Sequence, residues 1–188
     1  HYPPVPQIAT GGAVMVIPGG GYAVAAWGHE GSDIAQRLAV EGLHVFVLKC
    51  RLPKNESVGC RSHAALDDAR RGVQTIRMMA DSLGLDRRKV AVLGFSAGGH
   101  LAASAAVYYL EADSTAFPAA AAYSSRPDLS IPVYPVLIME DSKAAHQGSI
   151  NNLLGPQPWD AELLDYYDLP GRVHAAMPPT FLVHAGDD

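Results

Sequence analysis

Residues 94–98 read Gly94, Phe95, Ser96, Ala97, Gly98, a serine with a glycine two positions to either side. The pattern suits a nucleophilic serine. Where a strand runs into a helix through a sharp turn, the serine is forced into a strained backbone conformation and its hydroxyl projects above the sheet. Glycines at the flanking positions keep the turn from colliding with neighbouring elements. The helix that starts there turns its free amide N–H groups and positive dipole end toward the reacting atoms. In a chain with this glycine and serine content, the three fixed positions match by chance only about 0.1 times. The apolar run before the motif and the small-residue run after it make accident rarer still.

A serine attacking a carbonyl creates an oxyanion, which calls for backbone N–H donors at the same edge of the sheet. Gly19, Gly20 and Gly21 follow the apolar run Val14 to Ile17 and Pro18 directly, so their peptide groups are unshielded by side chains. Gly20 and Gly21, with the N–H of Ala97 in the elbow, are the candidate oxyanion donors. A phosphate-cradling loop is the competing use of such glycines, but the Gly-Lys-Ser/Thr ending it requires is absent. The run Pro178 to Asp188 places two acids, Asp187 and Asp188, at the end of an apolar segment. These are either a triad carboxylate with its neighbour or solvated loop carboxylates, and no histidine follows them.

The chain holds eight histidines. His100, four residues past Ser96 and inside the expected helix, reads as a buried residue bonded to a neighbouring loop and not as the base. His29 and His146, on loops near the presumed mouth, and His184, on the last strand, read as pocket-shaping residues. His1, His44, His63 and His174 carry no signal. Tyr22 and Trp27, close to the glycine loop, either line an acyl or sugar site or simply pack.

Short apolar runs alternating with amphipathic stretches are the signature of a parallel sheet covered by helices on both faces, a three-layer α/β/α arrangement. Strands are expected at Ala13 to Ile17, His44 to Leu48, Lys89 to Gly94, Ala119 to Tyr123, within Ile131 to Met139, and at Thr180 to Ala185. Pro132 and Pro135 leave only the later half of the fifth run to pair. Helices are expected from Ser32 to Glu41, closed by Gly42, and from about His63 to Leu83, closed by Gly84. Gly72 weakens the second by roughly 1 kcal/mol relative to alanine, a deficit that packing must offset. A third helix should follow Ser96 and reach about Leu110, its alanines permitting close approach to the sheet. Residues 124–177, richer in Pro, Asn and Gly, read as a loop-rich insertion with one or two short helices laid over the site of a single domain spanning residues 1–188.

Composition narrows the partners. The 188 residues are 48% hydrophobic and 18% charged, enough to fill a core and too apolar for disorder. With 14 basic and 19 acidic side chains, a net charge of −5 and no basic run, the electrostatic footprint of a nucleic-acid or anionic-membrane binder is missing. A neutral or carbohydrate-like partner is the expectation. The longest charge-free stretch, Tyr2 to Gly28, is broken by prolines and glycines and cannot span a bilayer as a helix. The opening residues lack the marks of a secretory signal, although export before this N-terminus stays compatible, so cytoplasmic and exported locations both remain open. Cys50 and Cys60 suit either a disulfide or free thiols. No metal or organic cofactor is expected.

Several segments together resemble a known family: Pro18 to Tyr22, His29-Glu30-Gly31, Val47 to Leu52, Leu66 to Arg71, Leu93 to Ala102, Ser124 to Leu129, Tyr134 to Met139, His146 to Ser149 with Asn152 to Gly155, and Pro178 to Asp188. In this order they are similar to the BD-FAE-like bacterial serine esterases of the α/β-hydrolase superfamily, related to acetyl esterases and acetylxylan esterases. The resemblance covers nearly the whole chain. It implies an α/β-hydrolase fold, Ser96 as nucleophile, Gly20, Gly21 and Ala97 as oxyanion donors, and Asp188, with Asp187 second, as the triad acid. The family's histidine lies in a Gly-Gly-His-Gly-like segment some thirty residues beyond Asp188, so the resemblance also implies that a last strand and helix are missing here. Cys50 stands where the family usually has tyrosine. The implied activity is removal of short acyl groups, acetyl above all, from a carbohydrate such as xylan or a xylo-oligosaccharide. Two alternatives stay open: a catalytically inactive hydrolase-fold protein or fragment, and an amidase, arylformamidase or peptidase on the same scaffold.

Overall fold

The computed structural model describes residues 1–53, 62–116, 118–140, 143–156 and 158–186. Four parallel strands, β1 (Ala13–Ile17), β2 (His44–Val47), β3 (Val90–Phe95) and β4 (Leu129–Val133), form a sheet in the order β2-β1-β3-β4. All five residues of β1 are buried because helices cover both of its faces. Ala13, Met15 and Ile17 pack with α2 (Ala64–Met78) and α4 (Ala97–Val107), whereas Val14 and Val16 pack with Ala35 of α1 (Asp33–Ala39). The valine, isoleucine and methionine side chains among these each contribute about 1.5–3 kcal/mol on burial. The continuous apolar run in the sequence is thus a strand covered on both sides.

The helices end where their chemistry dictates. Gly42 at φ 87 and Gly84 at φ 69 take the left-handed conformation that closes α1 and α3 (Ala80–Leu83). The expected long helix divides into α2 and α3 at Met79, whose ψ of −1 interrupts the helical path. Gly72 has its packing reason: a Cβ there would lie 2.5 Å from Met15 Sδ, so the missing side chain lets α2 settle onto β1. The alanine-rich α4 is buried along its whole length.

Two expected strands are corrected. Ala119–Ala122 forms a 3-10 turn after Pro118, in keeping with the poor strand propensity of four alanines. In the run Ile131 to Met139 the earlier residues pair, not the later ones. Ser130 and Pro132 turn their backbone groups away from β3: Ser130 N–H donates to Pro179 O, and Pro132 O accepts from Val183 N–H. The missing N–H of Pro132 therefore falls on the far side of β4, and the β3 ladder stays whole. The expected strand Thr180 to Ala185 is reduced to parallel bridges of Thr180 with Ser130 and Val183 with Val133.

Residues 124–177 thus contribute β4 to the sheet and, from Tyr134 onward, carry α5 (Gln147–Leu154), α6 (Ala161–Tyr167) and a 3-10 turn (Leu169–Arg172). On the α1 side of the sheet, an apolar groove of about 480 Å³ runs over Leu38, Ala91, Leu93, Leu129 and Ile131. No described helix is long and apolar enough to cross a membrane.

Candidate active site

β3 ends at Phe95 and α4 begins at Ala97, so Ser96 alone makes the turn, at φ 51 and ψ −118. The flanking glycines are required by contact. A Cβ on Gly94 would meet Gly98 O at 2.0 Å, and one on Gly98 would meet Ile17 O at 2.2 Å. The elbow is therefore wedged against the end of β1. Ser96 N–H donates to Val133 O at 3.0 Å, and Ser96 O accepts the N–H of His100 at 3.0 Å. Among the described residues its half-buried side-chain hydroxyl has no hydrogen-bond partner.

The glycine loop lies directly on this elbow: a Cβ on Gly19 would fall 2.7 Å from Phe95 O and 3.1 Å from Ser96 Cβ. Its carbonyls are pinned one after another. Gly19 O accepts Ala26 N–H at 2.9 Å, Gly20 O accepts Ala23 N–H at 3.0 Å, and Gly21 O accepts Asn152 Nδ2 of α5 at 2.8 Å. In a trans peptide the C=O and the following N–H point in opposite directions. Pinning the Gly19 and Gly20 carbonyls thus turns the N–H groups of Gly20 and Gly21 the other way, and neither donates to a described residue. The N–H of Ala97, at the start of α4, is likewise unused, as first-turn amides are.

Among the described non-glycine residues, Tyr22, Ser96 and Tyr134 have positive φ, at 59, 51 and 36. All three lie in turns that follow β1, β3 and β4 at the carboxyl ends of the strands. Each such conformation costs about 1–3 kcal/mol and persists only where its surroundings hold it.

Tyr22 is held from below. Its buried hydroxyl donates to His100 Nδ1 at 2.6 Å, while His100 Nε2–H donates to Tyr167 O at 3.0 Å. Both ring nitrogens of His100 are therefore occupied one turn after Ser96. Burial lowers the imidazole to about 4, against smaller opposing contributions from the Tyr167 carbonyl and Asp168. Burial also raises the Tyr22 phenol well above its ordinary value, which keeps it a donor. Cys50 lines the same tight cleft as Tyr22, Ala97 and Leu101, where about 10 Å³ is open, barely room for one water. Its free thiol is pushed up to about 11 by burial and Asp68. Cys60 lies outside the described residues.

The remaining sequence candidates divide. His29 is exposed, with Nε2 4.0 Å from Glu30 Oε1. Trp27 is also exposed and starts the π-turn Gly28–Ser32. His146 caps α5, its Nδ1 accepting the Ser149 N–H at 3.2 Å. Through α5 it supports Asn152, which holds the glycine loop. His184 is exposed and bonds Ala185 O at 3.2 Å. Asp187 and Asp188 lie outside the described residues. Among the described residues no three His, Cys, Asp or Glu side chains gather to hold a metal ion.

Composition and motif spacing did not single out three residues that hold the site: Glu30, Tyr134 and Asn152. Glu30 Oε2 accepts Gly19 N–H at 2.7 Å, and Glu30 Oε1 accepts the Tyr134 hydroxyl at 3.0 Å. Each stands in a segment that carries the family resemblance, Glu30 in His-Glu-Gly, Tyr134 at the head of Tyr134 to Met139 and Asn152 at the head of Asn152 to Gly155, but spacing alone assigns none of them a role.

Comparison with known proteins points to one family. The chain is 35% identical over 175 residues to endo-1,4-beta-xylanase B of Butyrivibrio fibrisolvens, covering 93% of this chain and 27% of that protein. It is 30% identical over 186 residues to the acetylxylan esterase of Xylanibacter ruminicola, covering 98% of this chain and 35% of that protein. The chain thus spans about a third or less of the curated relatives it matches. Among solved structures, an acetyl ester-xyloside bifunctional hydrolase from Caldicellulosiruptor lactoaceticus superposes with a TM-score of 0.88 at 33% identity, over 100% of this chain and 65% of that one. The apo form of Thermogutta terrifontis esterase 2 gives a TM-score of 0.71 at 23% identity, over 97% of this chain and 64% of that one, a likeness of fold. The BD-FAE family model matches residues 2–188, and with a serine elbow on a mostly parallel, helix-covered sheet of α/β-hydrolase type, the chain belongs to the BD-FAE family.

Proposed function

We propose that this chain carries the nucleophile and oxyanion site of a serine carboxylic-ester hydrolase that removes short acyl groups, acetyl above all, from carbohydrate such as xylan or a xylo-oligosaccharide. The observation that carries the reading is the elbow: Ser96 is held at φ 51 with its hydroxyl unengaged by described residues, beside the unused N–H groups of Gly20, Gly21 and Ala97. The substrate class rests on the acetylxylan esterase and acetyl ester-xyloside hydrolase relatives. The net charge of −5 suits a neutral sugar ester better than an anionic polymer.

In the proposed reaction a histidine takes the Ser96 proton as Oγ bonds to the ester carbonyl carbon. The carbonyl oxygen becomes an oxyanion and draws on the three amides, which are already oriented by their pinned neighbours. Collapse breaks the bond to the sugar oxygen, which leaves with the proton. Water, deprotonated by the same histidine, then bonds to the acyl carbon, the bond to Ser96 Oγ breaks, and the histidine returns the proton to Oγ as the free acid leaves. In this reading Asp188, or Asp187 in its place, fixes the tautomer of that histidine.

The test is a fluorophosphonate adduct mapped by peptide sequencing, together with turnover of an acetylated xylo-oligosaccharide by the full-length protein. A stoichiometric adduct on Ser96, and loss of turnover by at least about 10³-fold in Ser96→Ala, is the expected result. Unchanged turnover in Ser96→Ala overturns the assignment, and preference for matched anilides or N-formyl amides over acetyl esters overturns the substrate class.

A further inference from the structure

The His-Glu-Gly segment has no part in the reaction as written, yet its glutamate occupies a singular place. In the strand order β2-β1-β3-β4, the turns after β1 and β4 flank the Ser96 elbow on opposite sides. Glu30 reaches both. Oε2 takes the Gly19 N–H at 2.7 Å from the β1 side, and Oε1 takes the Tyr134 hydroxyl at 3.0 Å from the β4 side. The Glu30 side chain is only 15% exposed, and bonds to a carboxylate are about twice as strong as neutral ones.

We infer that Glu30 is a positioning residue, a brace that spans the elbow and fixes the oxyanion loop and the turn after β4 relative to Ser96. The inference rests on the esterase reading and deepens it.

Each end of the brace lands where the backbone needs holding. Gly19 is fixed on both sides, its N–H by Glu30 and its C=O by Ala26, which sets the plane from which the Gly20 N–H is aimed. Gly19 is also the residue whose absent side chain lets Glu30 Oε2 and Ser96 approach: a Cβ there would sit 2.7 Å from the one and 3.1 Å from Ser96 Cβ. Tyr134, at φ 36, follows Val133, whose carbonyl takes the Ser96 N–H, and its ring packs against Phe95 at 5.8 Å. The phenol is pushed up to about 12 by burial and by Glu30, so it remains a donor through the working range. Glu30 itself is delivered by the π-turn Gly28–Ser32, in which Ser32 N–H reaches back to Trp27 O at 2.8 Å. Such turns re-aim single side chains and recur at functional sites.

The brace does not touch the substrate, and its loss loosens donors that matter in the transition state. Glu30→Ala in the full-length protein should lower kcat on an acetyl ester about 10- to 100-fold, with KM changed less than about threefold. Glu30→Gln keeps an acceptor for Gly19 N–H and an N–H for the Tyr134 oxygen, so it should return to within about fivefold of wild type. Amide hydrogen exchange at Gly19 should be at least tenfold faster in Glu30→Ala than in Glu30→Gln or wild type. This exchange readout does not depend on any reaction.

If kcat in Glu30→Ala stays within twofold of wild type, or Glu30→Gln is as impaired as Glu30→Ala, the brace is refuted. If Glu30→Ala does not fold, Tyr134→Phe cuts one arm of the brace at a partly exposed side chain. It should lower kcat about 3- to 10-fold, and an unchanged kcat refutes the brace as well. Wild-type protein without ester turnover, yet with the exchange difference intact, would sink the esterase reading while supporting the brace.

Discussion

His100 offers a quantitative test of how the site is supported. The imidazole is fully buried, neutral, and bonded on both sides, by the Tyr22 hydroxyl from the glycine loop and the Tyr167 carbonyl at the end of α6. Among the titratable groups around it, the Asp168 charge favours the imidazolium slightly, and the Tyr22 and Tyr167 phenols, both raised by burial, stay neutral. Folding lowers His100 from 6.5 to about 4, so the unfolded chain binds the proton more tightly. The associated stability is fully present above pH 6.5 and is lost as the pH falls through 4. One site contributes a slope of at most about 1.4 kcal/mol per pH unit, and about 3 kcal/mol accumulates across this window. His100→Gln keeps an acceptor and a donor at that position without a titrating ring. Urea unfolding, followed by tryptophan fluorescence at pH 7, 6, 5 and 4, should show wild type losing about 3 kcal/mol more than the variant. His44, also lowered by burial, contributes equally to both proteins and cancels. Parallel stability curves for the two proteins would refute the reasoning, because they would mean that His100 takes up a proton in place.

Two backbone approaches give further tests. Gly98→Ala puts a methyl group 2.2 Å from Ile17 O and 2.6 Å from Pro18 O, both rigid backbone atoms, and should cost more than about 3 kcal/mol and displace the elbow. Denaturation that matched wild type within 1 kcal/mol would contradict the packing of β1 against α4. Gly72→Ala gains roughly 1 kcal/mol of helix propensity but drives its methyl 2.5 Å from Met15 Sδ. The expected net loss is about 1–2 kcal/mol, and in a double-mutant cycle with Met15→Val the pair should cost less than the sum of its parts. Simple additivity would show that the two residues do not meet.

Much of the site was legible because short-range sterics wrote it into the chain. The elbow glycines at 94 and 98 are demanded because a Cβ there would lie 2.0 Å from Gly98 O and 2.2 Å from Ile17 O, and only glycine avoids both clashes, so the motif had to appear as a fixed spacing. Gly42 and Gly84 marked helix ends for the same local reason, and β1 was bounded to the residue by Pro18 after a doubly buried run. His100 was legible as a bonded core residue because it falls one turn past Ser96 on a helix with no polar face. What was misread depended on direction and partners. Pro132 argued against pairing until the orientation of its backbone showed that its missing N–H faces away from β3. The four alanines at 119–122 were apolar enough for a strand, but nothing in them specified one.

The sequence by itself determined the turn at Ser96, the fold class and the glycine loop, because turns, caps and apolar periods are written in residue types at fixed short spacings. Only the tertiary structure decided that Glu30 joins Gly19 to Tyr134, that Asn152 holds Gly21, and that His146 caps a helix. The Glu30–Tyr134 and Asn152–Gly21 bonds join residues more than a hundred positions apart, and a hydrogen bond across such a separation leaves no period in the chain. His146 bonds a near neighbour, but whether a polar side chain caps, binds or faces solvent is fixed by what packs around it.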